Sequence, residues 1–323
     1  MKNLSRFLLV ALVLGLMLGG CASAGPKYPD KPINVIVPNP PGGLNDLTAR
    51  ALAESIKPFL PQPFTIVNRS GGNGGVGMGE MVQAKADGYT LCLTFTSTAV
   101  VLPQMSKVTY GPPSDYVAVA KVTNAPLVFA VQAERPWQTL KEAAEYAKAN
   151  PGKFRVGSPG VGSLHHMSLE LWNEKTGAGM THVPFAGGAE SSAALLGGHI
   201  EGVIIPPSVI TGHVQAGKLK VLGVLEEKRI ALWPQVPTFK ESGYDVVLGE
   251  TQFILAPKGT PDSVLTILND AIKKAVDTDS FKKFALDGGY VIDYKNAADT
   301  KALLENDYKF YGDLVTKMNL KQK

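Results

Sequence analysis

Two glycine-rich loops hold the residues of this chain that are best suited to bind an anion. The first loop comprises residues 40–46 (PPGGLND), and the second loop comprises residues 157–163 (GSPGVGS). Each follows a predicted strand and precedes a predicted helix. Glycines let backbone N–H groups converge at a helix N-terminus, where the helix dipole adds partial positive charge, so this arrangement favours a bound anion. The alternative is that both loops are only tight turns with capping residues.

A third segment adds hydroxyl groups to the same region. Thr96, Ser97 and Thr98 follow a predicted strand at residues 90–95. In open α/β sheets, ligands bind outside the carboxyl ends of the parallel strands. We therefore expect these hydroxyl groups to lie beside the first loop.

Other motifs with possible chemistry do not have the context that the chemistry needs. Residues 72–77 (GNGGVG) fit the GxGxxG pattern, but the next strand ends without the carboxylate that would bind a ribose. Residues 212–218 match the spacing of a phosphate-binding loop, yet Leu219 replaces the hydroxyl residue that holds magnesium. The sequence contains no GxSxG or HExxH signature of a hydrolase.

The charged and imidazole side chains near the loops have ordinary interpretations. His165 and His166 with Glu170 could suggest a metal site, but such histidines more often cap or pack a helix, and we expect neither a metal nor a cofactor. Asp46 and Arg50 are four residues apart at the start of a predicted helix. This spacing favours an ion pair that holds the first loop.

The elements that position these residues alternate along the chain, which predicts an α/β protein with mostly parallel sheets. Strands are predicted at residues 33–37, 64–67, 90–95, 117–122, 127–131, 154–156, 202–205, 219–225 and 253–256. Helices are predicted at residues 46–57, 76–85, 139–149, 163–176, 189–197, 208–216, 262–276, 279–286 and 297–318.

The amino terminus predicts export. Lys2 and Arg6 precede an apolar run at residues 7–18, which is shorter than the roughly 20 residues of a membrane-spanning helix and is typical of a signal peptide. The residues that follow, Gly19-Gly20-Cys21, resemble the end of a bacterial lipobox, where the cysteine is lipidated and the peptide is cleaved before it.

This pattern predicts a signal peptide at residues 1–20, a lipid on Cys21 and a short tether at residues 21–27. The protein would then be anchored to a membrane and face outside the cytoplasm, in the periplasm or at the cell surface. The alternative is an ordinary signal peptide that is cleaved near residues 22–24.

The composition predicts a folded chain and argues against several classes of protein. Of the 323 residues, 45% are hydrophobic and 19% are charged, and at this length two domains are the default. The formal net charge of +4 is too small to coat a face for nucleic acid. The two cysteines, Cys21 and Cys92, lie far apart, which argues against a disulfide scaffold or a structural zinc site.

A series of short motifs occurs in order along the chain. They are found at residues 28–33, 40–50, 67–77, 87–90, 151–153, 182–185, 197–198, 216–219, 234–238 and 255–261. Together they resemble the extracytoplasmic solute receptors of the tripartite tricarboxylate transporter family, often called Bug receptors. The match spans nearly the whole chain after the signal peptide.

The resemblance implies a two-domain α/β fold like that of the type II periplasmic binding proteins. Two crossing strands would form the hinge, and the ligand would lie in the cleft between the domains. One domain would comprise residues 28–125 and 252–323, and the other residues 126–251.

The resemblance also implies transport without chemistry on the ligand. The protein, as a monomer, would capture a small carboxylate, close by hinge bending and deliver it to large and small integral-membrane permease subunits. We expect membrane contact through the lipid anchor only, and no contact with nucleic acid.

In this family, one carboxylate of the ligand is held by backbone N–H groups and ordered waters between the two loops. Carried over by position, the expected ligand-binding residues are Pro41, Gly42, Gly43, Asn45, Asp46, Thr96, Ser97, Thr98, Ser158, Gly162, Ser163 and His166.

The sequence departs from the family pattern at Asn45, where threonine or serine is commonest, and at two positions that bear on the ligand. Phe185 stands where tyrosine is usual, and Ile205 lies where many relatives carry a small or an acidic residue. An aspartate there could hold a ligand ammonium and Ile205 cannot, so we expect a mono- or dicarboxylate without an amino group. Its apolar body would contact Phe185 and Ile205 in a distal pocket. The alternative is that both side chains belong to the core.

Two other functions use the same residues. A receptor with this cleft could report its ligand to a membrane kinase as a sensor subunit. An enzyme would need a nucleophile or an acid/base pair in the cleft, for which only His166 and Asp46 are candidates.

Overall fold

The computed structural model describes residues 28–321, which form two β-sheets and the helices that connect their strands. The predicted signal peptide, the tether and Cys21 lie outside these residues. Within residues 28–321, none of the helices combines the length and the apolar composition that a membrane crossing requires.

The strands and helices are numbered in chain order. The strands are β1 (Ile33–Val37), β2 (Phe64–Asn68), β3 (Thr90–Phe95), β4 (Tyr116–Ala125), β5 (Val128–Gln132), β6 (Arg155–Ser158), β7 (Thr181–Pro184), β8 (Gly202–Ile205), β9 (Leu219–Val224), β10 (Glu250–Pro257) and β11 (Val291–Lys295). The helices are α1 (Leu44–Ile56), α2 (Gly75–Val82), α3 (Leu102–Met105), α4 (Leu140–Ala149), α5 (Leu164–Thr176), α6 (Gly188–Leu196), α7 (Pro207–Gln215), α8 (Asp262–Val276), α9 (Asp279–Gly288) and α10 (Ala297–Lys317).

The expectation of mostly parallel sheets is wrong, because five of the nine strand pairs between residues 28 and 321 are antiparallel. Each sheet nevertheless has a parallel part whose carboxyl ends carry the loops of interest. The first sheet has the order β11-β4-β10-β3-β1-β2, and β1 pairs in parallel with β2 and β3. The second sheet has the order β7-β6-β8-β5-β9, and β6 pairs in parallel with β7 and β8. The first loop therefore leaves the carboxyl edge of the first sheet, and the second loop leaves that edge of the second sheet.

The chain crosses between the sheets twice. The strand β4 leads into β5 through residues 126–127, and β9 returns to β10 through residues 225–249. The two segments touch, because the N–H of Leu225 donates to Leu127 O at 2.9 Å. Within the second segment, the N–H of Leu248 donates to Leu225 O at 3.1 Å and brings the two ends of that segment together. This is the arrangement of two crossing strands that the resemblance implied.

The apolar residues explain why these elements form. Ile33, Val35, Ile36 and Val37 are buried, as expected for a central strand with neighbours on both sides. One hydrophobic cluster continues from the first sheet to the second, and its members include Ile36, Cys92, Leu127, Phe129 and Trp172. The core is thus continuous through the crossing region.

The sequence predicted most of these elements, with three omissions. The strands β7 and β11 were not predicted. The segment that we expected to be a loop of hydroxyl residues is helical, because Ser97–Val101 forms a π-helical turn that continues into α3. The helix predicted at residues 208–216 is confirmed, since α7 ends at Gln215 and Gly217 follows with φ of +68°, so residues 212–218 are the end of a helix.

Candidate functional site

The first loop presents the uncapped N-terminus of α1. Gly43 is the N-cap residue and has no side chain to cap the helix, and the N–H of Leu47 is the first to bond back to Gly43 O, at 3.0 Å. Gly42 has φ of +79°, a left-handed conformation that favours glycine. Pro41 and Gly42 are exposed, and Gly43 is half-buried. The amide groups of the first turn are therefore open to an acceptor from outside the helix.

Asp46 holds the first loop from behind. Its Oδ2 accepts from the N–H of Gly42 at 2.8 Å and from Arg50 Nε at 2.9 Å, and its Oδ1 accepts from Asn68 Nδ2 at 3.0 Å. Burial opposes ionisation of this carboxyl, but the three donors outweigh burial and lower its pKa. The predicted ion pair is confirmed, and the carboxylate is occupied by the chain itself.

The side chain of Asn45 is part of a buried network. It is fully buried, its Nδ2 donates to Asn39 Oδ1 at 2.7 Å, and its Oδ1 accepts from Gln252 Nε2 at 2.9 Å. Gln252 Oε1 also accepts from the hydroxyl groups of Thr48 and Thr123. Only the backbone of Asn45 is left to contact a ligand. The network joins the first loop to both β4 and β10, and Gln252 was not among the predicted site residues.

The segment of hydroxyl residues after β3 faces inward. Thr96 and Thr98 are buried; Thr98 Oγ1 donates to Asn73 O at 3.2 Å, whereas Thr96 Oγ1 has no partner within the described residues. The half-buried Ser97 donates its N–H to Glu250 Oε2 at 3.3 Å. Of the three, Ser97 is therefore the one with a side chain partly open to solvent.

The second loop is more internally bonded than the first. Gly160 and Gly162 have φ of +103° and +77°, and the hydroxyl of Ser163 caps α5 by accepting from the N–H of His166 at 3.2 Å. The N–H of Gly162 donates to His166 Nδ1 at 3.1 Å. An ideal Cβ on Gly162 would lie 2.3 Å from Met105 Cε, so the second loop packs against α3, which follows the first sheet's β3.

A histidine that the sequence analysis did not single out completes this loop. His182, in β7, lies 2.7 Å from Ser158 Oγ through its Nε2, and its ring stacks on His166 with centroids 3.8 Å apart. Burial, and then the neighbouring His166, lowers the pKa of His182 to about 4, and burial also lowers the pKa of His166. Both rings are therefore neutral near pH 7. The pairing joins β6, β7 and α5, which lie in three separate segments of the sequence.

The two residues expected in a distal pocket have different environments. Ile205 is fully buried in the core of the second sheet, which is the alternative that the sequence left open. Phe185 is half-buried and packs against the same core cluster. In this structure, an apolar contact with a ligand could come from Phe185 but not from Ile205.

A cavity of about 540 Å³ lies beside the first loop. It brings together the first turn of α1, the start of α7 in the second sheet's half of the chain, and α9. The lining residues are Gly42, Gly43, Leu44, Leu47, Ser208, Phe284, Asp287, Gly288 and Tyr290. Of the predicted second-loop residues, His166 lines a different cavity, of about 340 Å³, between α5 and α10. In residues 28–321, no group of three or more potential side-chain ligands is arranged to hold a metal ion.

The order of the elements and the positions of the loops can be compared with known proteins. The family model described as the tripartite tricarboxylate transporter family receptor matches residues 48–320. The chain belongs to this family. Protein BugT of Bordetella pertussis is 33% identical over 283 residues, which are 85% of this chain and 86% of BugT. The expected relationship to the Bug receptors is thereby confirmed.

Solved structures of similar receptors share the two-domain fold. A TctC solute binding protein from Polaromonas, solved without ligand, is 34% identical and aligns over 90% of this chain and 99% of its own, with a TM-score of 0.80. MatC from Rhodopseudomonas palustris, solved with bound malate, is 26% identical over 89% of this chain and all of its own, with a TM-score of 0.73. Another R. palustris protein, solved with adipate, is 25% identical over 90% of this chain and 97% of its own, with a TM-score of 0.75.

The family fixes the broad function of this receptor. It is an extracytoplasmic solute-binding receptor for a tripartite tricarboxylate-type transporter, in a family of receptors rather than of enzymes. The identity of the solute depends on the site.

Proposed function

We propose that this receptor captures a small carboxylate that lacks an amino group and holds one end of it on the amide groups of the first loop. The observation that carries the proposal is the uncapped first turn of α1, where Gly42 and Gly43 bring amide groups to the edge of the 540 Å³ cavity. Hydrogen bonds from amides to a carboxylate are about twice as strong as those between neutral groups. No lysine cluster is needed for such recognition.

The second loop would supply the other wall of the site. Ser163 and Gly162 lie at the N-terminus of α5, and the loop touches the first sheet's side of the molecule through Met105. Hinge bending at the two crossing strands would bring the two loops onto one ligand. In this proposal, residues 28–125 and 252–323 move as one domain and residues 126–251 as the other.

The ligands of the solved relatives support a carboxylate with an apolar body. Malate and adipate both carry two carboxylates, and adipate has only methylene groups between them. The cavity beside the first loop has apolar side chains, Leu44, Leu47, Phe284 and Tyr290. Its one acidic residue, Asp287, is paired with Lys283 at 2.7 Å. An aliphatic dicarboxylate fits this lining better than an amino acid.

A panel of matched compounds tests the proposal. Thermal shift and calorimetry would compare adipate with 1,6-hexanediol, which lacks the carboxylates, and with 2-aminoadipate, which adds an ammonium. Malate and aspartate form a second pair. A ligand that binds only the folded form adds about 2.7 kcal/mol of stability at 100 times its Kd. We expect stabilisation by adipate or malate and little by the other compounds.

Three results would contradict the proposal. Equal stabilisation by hexanediol and adipate would show that the carboxylate is not recognised. Tighter binding of 2-aminoadipate than of adipate would show that the site does hold an ammonium. Turnover of any bound compound would favour an enzyme.

We further propose that Cys21 carries a lipid and that the receptor, as a monomer, delivers its ligand to the large and small permease subunits in the membrane. Cys92 provides a control, because it is buried in the core and its thiol pKa is raised by burial. Labelling of cells with a fatty acid should mark the parent and Cys92→Ser but not Cys21→Ser. Labelling of Cys21→Ser at the level of the parent would overturn the proposal that Cys21 carries the lipid.

A further inference from the structure

The crossing region contains buried carboxyl groups that the ligand site does not use. Glu226 follows β9, directly after the segment that pairs with Leu127, and Glu250 begins β10 opposite Ala125 of β4. Their side chains are 8% and 9% exposed. Both carboxyl groups therefore lie where the chain passes between the two sheets.

The carboxyl group of Glu226 is shielded from solvent and makes few hydrogen bonds. Its Oε1 is buried and has no hydrogen-bond partner within the described residues, and its Oε2 lies 3.4 Å from Asn124 Nδ2. An ideal Cβ on Gly249 would be 2.6 Å from Oε1, so the carboxyl is packed against the second crossing segment. An ionised carboxylate in this position would lack most of the donors that its charge requires.

Glu250 is the second of these buried carboxyl groups, and it directly follows Gly249 in the chain. Its Oε2 accepts a long hydrogen bond, of 3.3 Å, from the N–H of Ser97. The side chain of Ser97 also bonds to this carboxyl group. Since Ser97 begins the turn after β3, this contact joins the crossing region to the edge of the sheet that carries the first loop.

The positive charge near Glu226 and Glu250 is too small to neutralise both carboxyl groups if they were ionised. Lys121 of β4 is the buried cation of the region, and its Nζ is paired with Asp293 of β11 at 2.5 Å. Asp307 and Tyr311 of α10 line the same cavity as Glu226. The pKa of the Tyr311 hydroxyl is raised mainly by burial, and further by the nearby carboxyl groups of Asp307, Glu250 and Glu226.

This cavity of about 580 Å³ lies beside Glu226, and Gly249 and Thr251, the two neighbours of Glu250 in the chain, also line it. Its other charged lining residues are Glu227, Lys228, Arg229 and Lys295, of which Glu227 is paired with Lys240 and Arg229 with Glu241.

We propose that the crossing region is a proton-binding site, in which Glu226 and Glu250 are held protonated by their packing, and that proton occupancy is linked to the relative position of the two sheets. Burial raises the pKa of each carboxyl to about 7, although Lys121 opposes the effect at Glu226 and Ser97 opposes it at Glu250. Burial also raises the pKa of Asp307 to about 6.

The direction of the linkage follows from where the carboxyl groups lie. Bending that separates the crossing segments admits water to Glu226 and Glu250 and lowers their pKa toward the ordinary glutamate value of about 4.3. The bent form then releases protons. Acidification from about pH 7 toward pH 4.5 therefore favours the arrangement described here.

Denaturant unfolding at several pH values tests the proton site. Folded protein that holds more protons than unfolded protein loses stability as the pH rises, with a tenfold change in the unfolding constant per pH unit for each proton. We expect Glu226→Gln and Glu250→Gln each to remove about one proton from those that the folded protein holds between pH 5 and pH 7, so that each variant loses less stability, or gains more, than the parent as the pH rises over this range. The matched control is Glu227→Gln, in the exposed neighbour, which should keep the parent slope. Parent slopes in both glutamine variants would overturn the site.

Small-angle X-ray scattering of the mature chain at pH 5 and pH 8 tests the linkage. We expect the scattering profile of the parent to change with pH and that of the double glutamine variant to change much less. Identical parent profiles at both pH values would overturn the linkage. Neither measurement uses a ligand, so the outcome is independent of the carboxylate panel.

Discussion

Gly43 is the single residue on which the carboxylate site depends most. Its backbone is extended, with φ of −76°, and an ideal Cβ would meet only Pro40 O, at 3.4 Å, so other residues fit there. Serine is a preferred N-cap residue, and its hydroxyl accepts from the N–H groups of the first turn. We expect Gly43→Ser to keep or slightly raise the stability of the fold while it weakens adipate or malate binding by roughly tenfold or more, about 1.4 kcal/mol. Calorimetry and urea unfolding measure the two effects.

A bulkier residue at the same position shows whether binding is weakened by steric exclusion of the carboxylate, independently of helix capping. Gly43→Val adds no hydrogen bond but places methyl groups where a carboxylate would approach, and we expect it also to weaken binding. Full affinity in both variants would mean that the ligand binds elsewhere.

Asp46 tests how the first loop is held. Since its three donors lower its pKa below the usual aspartate range, the ionised form stabilises the fold above about pH 4, and this contribution is lost as the pH falls below that range. We expect Asp46→Asn to lose about 2 kcal/mol at pH 7, the usual contribution of hydrogen bonds to a charged group. The difference from the parent should narrow in denaturant titrations as the pH falls below about 4. A pH-independent difference would assign the loss to packing instead.

Local spacing decided which of these residues the sequence could predict. The pair of Asp46 and Arg50 is four residues apart on one helix, so it was predictable. Gln252 bonds to Asn45 across 207 positions, and His182 bonds to Ser158 across 24. Nothing in a single sequence indicates such partners, because their proximity depends on which strands become neighbours.

At the scale of elements, glycines let α2 pack closely on the residues that directly follow β1 and β2. An ideal Cβ on Gly77 would lie 2.7 Å from Arg69 O and 3.0 Å from Pro38 Cα, and both are backbone atoms. The sequence 72–77 is therefore a packing motif. We expect Gly77→Ala to destabilise the fold by about 1–3 kcal/mol, as overpacking does.

Gly212 provides a matched control for this prediction. It also lies in a helix, α7, but an added Cβ would meet no atom within 4 Å. Gly212→Ala should raise stability by about 0.5–1 kcal/mol, because alanine is the better helix former. If the urea midpoints of both variants moved upward, the prediction that Gly77 is too closely packed for a side chain would be wrong.

The elements that the sequence did not predict have weak local signals. The strand β7 is four residues long and ends in proline, and β11 pairs only with β4, in an irregular register. Both lie at sheet edges, where tertiary context rather than an apolar run decides the structure. The turn Ser97–Val101 contains three β-branched residues, which favour strands, yet it is helical where the chain leaves β3.

For the whole molecule, buried histidines reduce the free energy of unfolding at acid pH, an effect that we call the acid limit. His165 is buried, neither of its ring nitrogens has a hydrogen-bond partner within the described residues, and burial lowers its pKa to about 3. The pKa of His182 is about 4. An unfolded histidine binds a proton below about pH 6.5, so the unfolded state holds more protons than the folded state between pH 6.5 and pH 4. The buried histidines therefore lower the stability of the fold as the pH falls through this range, which is opposite in sign to the contribution of Glu226 and Glu250.

Replacement of His165 should remove part of this limit. Leucine has a similar size and no polar atoms, so His165→Leu avoids a buried unsatisfied ring, and we expect a gain of about 1–3 kcal/mol at pH 7. The gain should grow below pH 6.5, because the variant no longer has a histidine that protonates only on unfolding. The exposed His199 provides the comparison, since His199→Gln removes no buried polar group and should bring no such gain. Urea unfolding at pH 5 and pH 7 measures both variants. A loss of stability in His165→Leu at both pH values would mean that the ring has a partner in solution, and the acid limit would then have to come from His182 and His166.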